Sequence, residues 1–204
     1  PDMPGFGNTN EPSHPLHLDD YADFLDGYIK EQKIHAPIII GHSFGGRVIL
    51  KYLSTHKNIV RAIILSGTPG YPSVNKLKFY LSLGIAKCGH ILLSIPGIGK
   101  IAEALQRWFY YHIGVRDFYR ASGTMKQTFK NVVSEPLIIP MQSVSIPTLL
   151  AWGHEDQIVP LWVAEKMNKT IRGSTLVSIN NHGHAVPYRE PEVFISAVRA
   201  FINT

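Results

Sequence analysis

Short continuous apolar runs alternate along the chain with longer segments whose apolar positions recur at helical spacing. Nearly unbroken aliphatic runs bounded by turn residues are typical of strands buried on both faces of a parallel sheet. Such runs occupy Ile38–Ile40, Val60–Leu65, Thr148–Trp152 and Leu176–Ile179. The pattern predicts an α/β fold with a mostly parallel sheet covered by helices.

The segments with helical spacing lie between these runs and close the chain. Asp19 and Asp20 are expected to cap the first helix, because acidic side chains satisfy the free N–H groups of a helix start. Helices are predicted to run from there to about Lys33, from Arg47 to about His56, from Pro160 to about Met167, and over Pro191–Ile202.

The strand–helix alternation breaks in the middle of the chain. Three helices are predicted there, over 76–93, 99–112 and 116–133. We therefore predict a helical insertion over residues 71–145, between two parts of an α/β core at 1–70 and 146–204. Aromatic side chains crowd this insertion, and Trp108 is predicted to contact substrate.

Composition excludes several classes of protein. The 204 residues suffice for one domain with a sizeable core. No apolar run approaches the roughly 18 residues of a membrane span. The single cysteine, Cys88, excludes an internal disulfide framework and is compatible with a reducing compartment, so a cytoplasmic location is predicted.

Charge is uneven, with nine Lys or Arg and three Asp or Glu between Gly70 and Ser145. A solvated helical face explains this excess better than nucleic acid does, because no basic run is interleaved with stacking aromatics. Nucleic acid is therefore not expected as a partner. Metal-site spacing is also absent, since His182 and His184 alone are too few ligands.

The chemistry-bearing stretch is Gly41–Gly46, a G-x-S-x-G motif between an apolar strand and a helix. This context predicts a nucleophile elbow, a strained turn that lifts the Ser43 hydroxyl clear of the sheet. Side chains at Gly41 or Gly45 are expected to collide with neighbouring backbone. The Phe44 N–H would face a substrate oxyanion.

Two other interpretations of this stretch stay open. One is a glycine-rich strand–helix turn with an incidental serine, since the bare motif is a common accident. The other, a phosphate-binding loop, lacks the required spacing and has Arg47 after its last glycine.

Three candidate catalytic residues follow predicted strands in the order Ser43, Asp156, His184. The carboxyl ends of parallel strands meet at one edge of a sheet, so these side chains are expected to converge. His184 would act as general base and Asp156 would orient its imidazole. Glu155 is the rival acid and His182 the rival histidine.

The chain resembles the α/β hydrolases over essentially its whole length. The resemblance is carried by Asp2–Gly7, Gly41–Gly46, Trp152–Pro160, Gly183-His184 and Pro191-Glu192. It implies a cap domain at 71–145, favours Asp156 and His184 within the triad, and implies no cofactor. His42, before the nucleophile, would border a pocket for a small-molecule substrate.

The chain departs from this family at its start. Complete members have further strands before the Pro-Gly-x-Gly loop, and one of them leads to a second oxyanion donor. We therefore expect a fragment of a longer protein in which Ile38–Ile40 presents an unpaired apolar edge. Either a missing N-terminal segment or a partner chain covers that edge, or the piece aggregates.

The resulting functional hypothesis is a serine hydrolase that cleaves a small or medium carboxylic ester through an acyl-enzyme. Carbon–carbon bond hydrolysis of ring-cleavage dienoates with the same triad is an alternative within the family. Dehalogenation is disfavoured, because it needs a carboxylate at Ser43. A non-catalytic fragment that associates through its open sheet edge is the alternative from another class.

Overall fold

A parallel sheet lies at the centre of the computed structural model, which describes residues 1–57, 59–72 and 123–203. The strands are β1 (Ile38–His42), β2 (Ala62–Ser66), β3 (Thr148–Gly153) and β4 (Ser174–Ile179), and they lie side by side in that order. Every neighbouring pair is parallel. The predicted α/β class is confirmed. The observed ends of the strands lie within two residues of the predicted ends.

Helices cover the sheet. They are α1 (Leu18–Glu31), α2 (Phe44–Thr55), α3 (Gly123–Ser134), α4 (Ile138–Ser143), α5 (Leu161–Thr170), α6 (Val186–Arg189) and α7 (Pro191–Ile202). The sequence pattern missed α4 and α6, since helices of six and four residues are too short to establish a helical period. The predicted helices over 76–93 and 99–112 lie outside the described residues, and so do Cys88 and Trp108.

Alternate residues of each strand enter two separate cores, one on each face of the sheet. Ile63 and Leu65 join the larger core with side chains of α1, α2, α4 and α5. Ile64 joins the smaller core, where Phe194 and Val198 of α7 pack. The two central strands, β2 and β3, are buried along their whole length, which explains why they are almost wholly apolar. The edge strand β4 is less buried and contains Ser174, Thr175 and Ser178.

The start of α1 differs from the prediction that Asp19 and Asp20 cap the helix. The helix begins at Leu18, and the Asp20 carboxylate accepts a 2.7 Å hydrogen bond from the backbone N–H of His17. An acid at the third helical position reaches back to the residue before the helix, as in a capping box. The predicted cap was therefore wrong by two to three positions.

β1 lies at one edge of the four-stranded sheet and pairs only with β2 among the described residues. Ile40 of this strand is 53% exposed. Exposed strand edges of this kind favour pairing with another segment or chain. That a missing N-terminal segment or a partner chain covers the edge of β1 stays a prediction.

A buried arginine joins α2 to segments that are distant in sequence. The guanidinium of Arg47 donates to the backbone carbonyls of Pro69, Val132 and Glu135, which follow β2 or lie at the end of α3. Burial lowers the pKa of Arg47 to about 10. The sequence singled out Arg47 only for its place after the glycines and gave no sign of this role.

Candidate active site

A turn with a strained backbone lies between β1 and α2, at the position where the nucleophile turn is predicted. Ser43 has φ 51° and ψ −112°, a strained backbone conformation that residues other than glycine rarely adopt and that is concentrated at functional sites. Its backbone N–H donates to the carbonyl of Ser66 at 2.8 Å, and its carbonyl accepts from Gly46 at 3.1 Å. The turn is thus tied to the end of β2 as well as to its own helix.

Close packing explains two glycines of the turn but not a third. A Cβ at Gly41 would lie 2.7 Å from the backbone nitrogen of Gly46. A Cβ at Gly46 would collide with the side chain of Thr68. A Cβ at Gly45 would meet nothing within 4 Å, so the predicted collision there is wrong. The close approach that needs a glycine occurs one position later, where α2 meets the segment after β2.

A tight loop after β3 holds Asp156, which is 4% exposed. Its Oδ1 atom accepts backbone N–H groups of Ile158 at 2.9 Å and Val159 at 2.8 Å. The carbonyl of Val159 in turn accepts the indole N–H of buried Trp152 at 2.8 Å. These bonds fix the carboxylate and leave its Oδ2 atom for another donor.

The loop after β4 packs directly against the loop that carries Asp156. The backbone N–H of Glu155 donates to the carbonyl of His182 at 2.9 Å. A Cβ at Gly153 would collide with the carbonyl oxygens of His182 and Gly183. Glycine at the end of β3 therefore lets the two loops approach closely enough for their side chains to meet.

The imidazole of His184 meets the remaining carboxylate oxygen. His184 Nδ1 lies 2.8 Å from Asp156 Oδ2, and both side chains are largely buried. An ionised carboxylate can only accept, so this contact puts a proton on Nδ1 and leaves Nε2 as the basic nitrogen. Of the rivals, Glu155 is exposed, and His182 contributes its backbone carbonyl to the loop contact.

The His184 ring also lies against the segment that anchors the nucleophile turn. Gly67 has φ +55°, and a Cβ there would lie 2.7 Å from His184 Cε1. The preceding residue, Ser66, accepts the N–H of Ser43. In the described part of the chain, the Ser43 hydroxyl makes no hydrogen bond to His184, and such contacts often tighten only when substrate binds.

The ring of His42 lies between the rings of His184 and Tyr188. Its ring centroid lies 4.7 Å from that of His184 and 5.2 Å from that of Tyr188, which it meets edge to face. Burial, and then the nearby charge of His184, lowers the pKa of His42 to about 4. Its predicted contact with substrate is untested. Sequence reasoning missed Tyr188, since no sequence pattern indicated its contact with His42.

Phe44, the predicted oxyanion donor, is the first residue of α2, where N–H groups have no partner within the helix. Its ring stacks on Phe6 at 5.0 Å and meets Tyr21 edge to face at 4.8 Å. The Tyr21 hydroxyl donates to the carbonyl of Pro4. The proline- and glycine-rich first loop is therefore packed against the nucleophile turn.

The described residues contain neither a cluster of metal ligands nor a helix that could cross a membrane. Within residues 1–57, 59–72 and 123–203, no three or more His, Cys, Asp or Glu side chains are grouped so as to hold a metal ion. In the same ranges, no helix is long and apolar enough to span a bilayer.

A model of the alpha/beta hydrolase family matches residues 1–197. The chain belongs to the alpha/beta hydrolase family. It is an enzyme of the hydrolase class. Its parallel sheet and flanking helices are those expected of that family.

Relatives of this chain include one whose name gives only the superfamily and one whose name gives a substrate. The AB hydrolase superfamily protein YisY of Bacillus subtilis is 25% identical over 219 residues, covering all of this chain and 80% of the relative. A 2-hydroxy-6-oxo-6-(2'-aminophenyl)hexa-2,4-dienoic acid hydrolase of Metapseudomonas resinovorans is 26% identical, covering 99% of this chain and 72% of the relative. The chain therefore spans most of the length of these relatives.

Among solved structures, an esterase from Exiguobacterium antarcticum resembles this hydrolase, with a TM-score of 0.71 and 25% identity. The match covers all of this chain and 80% of the esterase.

Proposed function

We propose that this hydrolase cleaves small or medium carboxylic esters through an acyl-enzyme, with Ser43 as nucleophile, His184 as base and Asp156 as orienting acid. The observation that carries the proposal is the 2.8 Å contact between His184 Nδ1 and Asp156 Oδ2. That contact leaves Nε2 basic at the end of the sheet where the strained Ser43 turn lies.

Each step uses a group that the fold holds in place. The Ser43 oxygen attacks the ester carbonyl carbon while its proton passes to His184 Nε2. The N–H of Phe44 donates to the oxygen that becomes negative. The tetrahedral intermediate expels the alcohol, which takes the proton from His184. Water then attacks the acyl-enzyme by the same route and releases the acid and free Ser43.

Asp156 contributes by holding His184 in one tautomer and by stabilising the imidazolium that forms during attack. Its own Oδ1 atom is occupied by two backbone N–H groups, so the carboxylate cannot easily turn away from the ring. This fixed orientation supports a base that is ready before substrate arrives.

A fluorophosphonate probe tests the nucleophile, because it reacts covalently with activated serines. The wild-type chain is expected to be labelled once and to hydrolyse p-nitrophenyl acetate or butyrate. Ser43→Ala should abolish labelling and lower kcat by about 10⁴-fold or more. Ser54→Ala is the matched control, since that exposed hydroxyl only donates to the Lys51 carbonyl. An unlabelled wild-type chain that cleaves no ester would overturn the proposal.

Carbon–carbon bond hydrolysis is the second candidate, and the dienoate hydrolase names of two relatives favour it. The same triad would serve, with the bond to carbon rather than to oxygen broken. The ratio of kcat/KM for a 2-hydroxy-6-oxo-dienoate to that for p-nitrophenyl butyrate separates the two. A ratio above one would favour carbon–carbon cleavage, and a ratio far below one would favour ester cleavage.

A further inference from the structure

We propose that His42 is a positioning residue whose ring holds the imidazole of His184 in the orientation needed for proton transfer. The inference rests on the proposed function, since it assigns a supporting role within the same site. His42 is the last residue of β1, and the next residue is the proposed nucleophile. Its backbone is therefore fixed by the parallel sheet, where it pairs with Ser66 of β2.

A single hydrogen bond does not fix an imidazole. The contact from His184 Nδ1 to Asp156 restrains one atom of the ring, and the ring can still swing about that atom. Two further surfaces limit this motion. The backbone at Gly67 approaches Cε1 and Nδ1 so closely that a Cβ there would lie 2.7 and 2.8 Å from them. The ring of His42 lies 4.7 Å from the ring of His184, between centroids, at an interplanar angle of 51°.

His42 and Gly67 form one continuous wall. The same hypothetical Cβ at Gly67 would lie 3.2 Å from His42 Cε1, so the two groups are neighbours. Tyr188 meets the ring of His42 edge to face at 5.2 Å. The His184 ring thus has the Asp156 carboxylate at Nδ1 and this wall beside it, and Tyr188 braces the wall.

Among the described residues, the ring of His42 is hydrogen-bonded to the backbone of Ser66 and not to His184, so its effect on His184 would come from its shape. Its Nδ1 atom is buried and has no hydrogen-bond partner among the described residues. The titratable groups that face the ring are His184, Asp156 and Tyr188. Burial keeps the pKa of His42 near 4, so the ring is uncharged near neutral pH and does not repel the imidazolium that forms at His184.

The test compares steady-state kinetics of three variants on p-nitrophenyl butyrate at pH 7.5. His42→Ala removes the wall and should lower kcat by about 30-fold, because small misplacements of a catalytic group are costly. KM should stay within about threefold, since under this proposal the ring acts on the reaction through His184. His42→Phe keeps a flat neutral ring and should recover kcat to within about fivefold of wild type.

Tyr188→Ala keeps the proposal testable if the His42 variants fold poorly, because Tyr188 is largely exposed. Loss of this brace should lower kcat by about two- to fivefold without a change in KM. His154→Ala is the matched control, since that histidine contacts the Ser178 hydroxyl and not His184. Its kcat should equal that of wild type.

Several results would overturn the inference while leaving the proposed function intact. In each, the wild-type chain is labelled by the fluorophosphonate probe. The inference fails if His42→Ala keeps wild-type kcat, if kcat of His42→Phe is no higher than that of His42→Ala, or if the variants change KM rather than kcat. A wild-type chain that the probe does not label would instead sink the proposed function itself.

Discussion

The two halves of the candidate site are built differently. In the acid–histidine half, His184 Nδ1 lies 2.8 Å from Asp156 Oδ2, and two backbone N–H groups donate to Asp156 Oδ1. In the serine half, the backbone of Ser43 is strained and anchored, but its hydroxyl has no hydrogen bond to His184 in the described part of the chain. Under the proposed mechanism, the acid–histidine contact exists without substrate, whereas the Ser43 hydroxyl would turn towards His184 when substrate binds.

Under the proposed mechanism, this difference shows which side chain is oriented before substrate binds and which is not. The base must be oriented in advance, because an imidazole that rotates freely spends little time in the productive geometry. The nucleophile needs a fixed backbone and a mobile hydroxyl, since the hydroxyl must reach the substrate carbonyl. Changes in the acid–histidine half should therefore affect kcat most, whereas changes beneath the serine half should affect stability most.

Among the changes that leave Ser43 in place, the largest expected effect comes from breaking the contact between acid and histidine. Asp156→Asn should lower kcat/KM by about 10³–10⁴-fold, because an amide can present an N–H to Nδ1 and select the wrong tautomer. Ester hydrolysis measures this effect. Glu155→Gln, in the same loop but exposed, is the control and should stay within about twofold of wild type. Equal losses in the two variants would contradict the assignment of the acid.

The support beneath the serine half is tested by Arg47→Met. The change removes charged donors from three backbone carbonyls and should destabilise the fold by about 3 kcal/mol. Urea unfolding followed by tryptophan fluorescence measures the loss. Arg47→Lys keeps the charge but not the forked geometry, and it should recover less than half of the loss. Full recovery by lysine would show that charge alone is needed.

The packing between the acid and histidine loops is tested by Gly153→Ala. The added methyl group would collide with two carbonyl oxygens and should cost about 2 kcal/mol of stability. It should also lower kcat, because His184 follows the displaced loop. Gly27→Ala in α1 is the matched control: a Cβ there meets nothing within 4 Å, and alanine should stabilise the helix slightly.

The smallest expected effect is a pH dependence from the ring between the two halves. The pKa of His42 falls from 6.5 to about 4 on folding, so the unfolded state takes up the proton first as pH decreases. The contribution of neutral His42 to the free energy of unfolding is therefore fully present above about pH 6.5 and is lost as the pH falls towards 4. Allowing for partial solvent exposure, the loss from pH 7.5 to pH 5 should be about 1 kcal/mol.

Urea unfolding at the two pH values measures this loss. His42→Phe cannot take up the proton and should be less sensitive to pH by that amount. Identical pH dependence in wild type and variant would mean that His42 does not titrate as its burial implies.

The amino-acid sequence by itself determined the parallel sheet and the elements that flank it. Those features depend on apolar runs and helical periods, which are local, and on the rule that carboxyl ends of parallel strands meet at one edge. The order of Ser43, Asp156 and His184 after β1, β3 and β4 was readable for the same reason. Short elements such as α4 and α6 were not, because they span too few residues for a period.

Only the tertiary structure decided which loops touch and which atoms face each other. The Nδ1 contact of His184, the brace of His42 by Tyr188 and the reach of Arg47 to Glu135 join residues far apart in the chain. Even within one motif, Gly41 and Gly46 have no room for a side chain whereas Gly45 does, and at Gly46 the reason is that Thr68 packs against it. Such distances arise from packing between separate segments, and no local pattern encodes them.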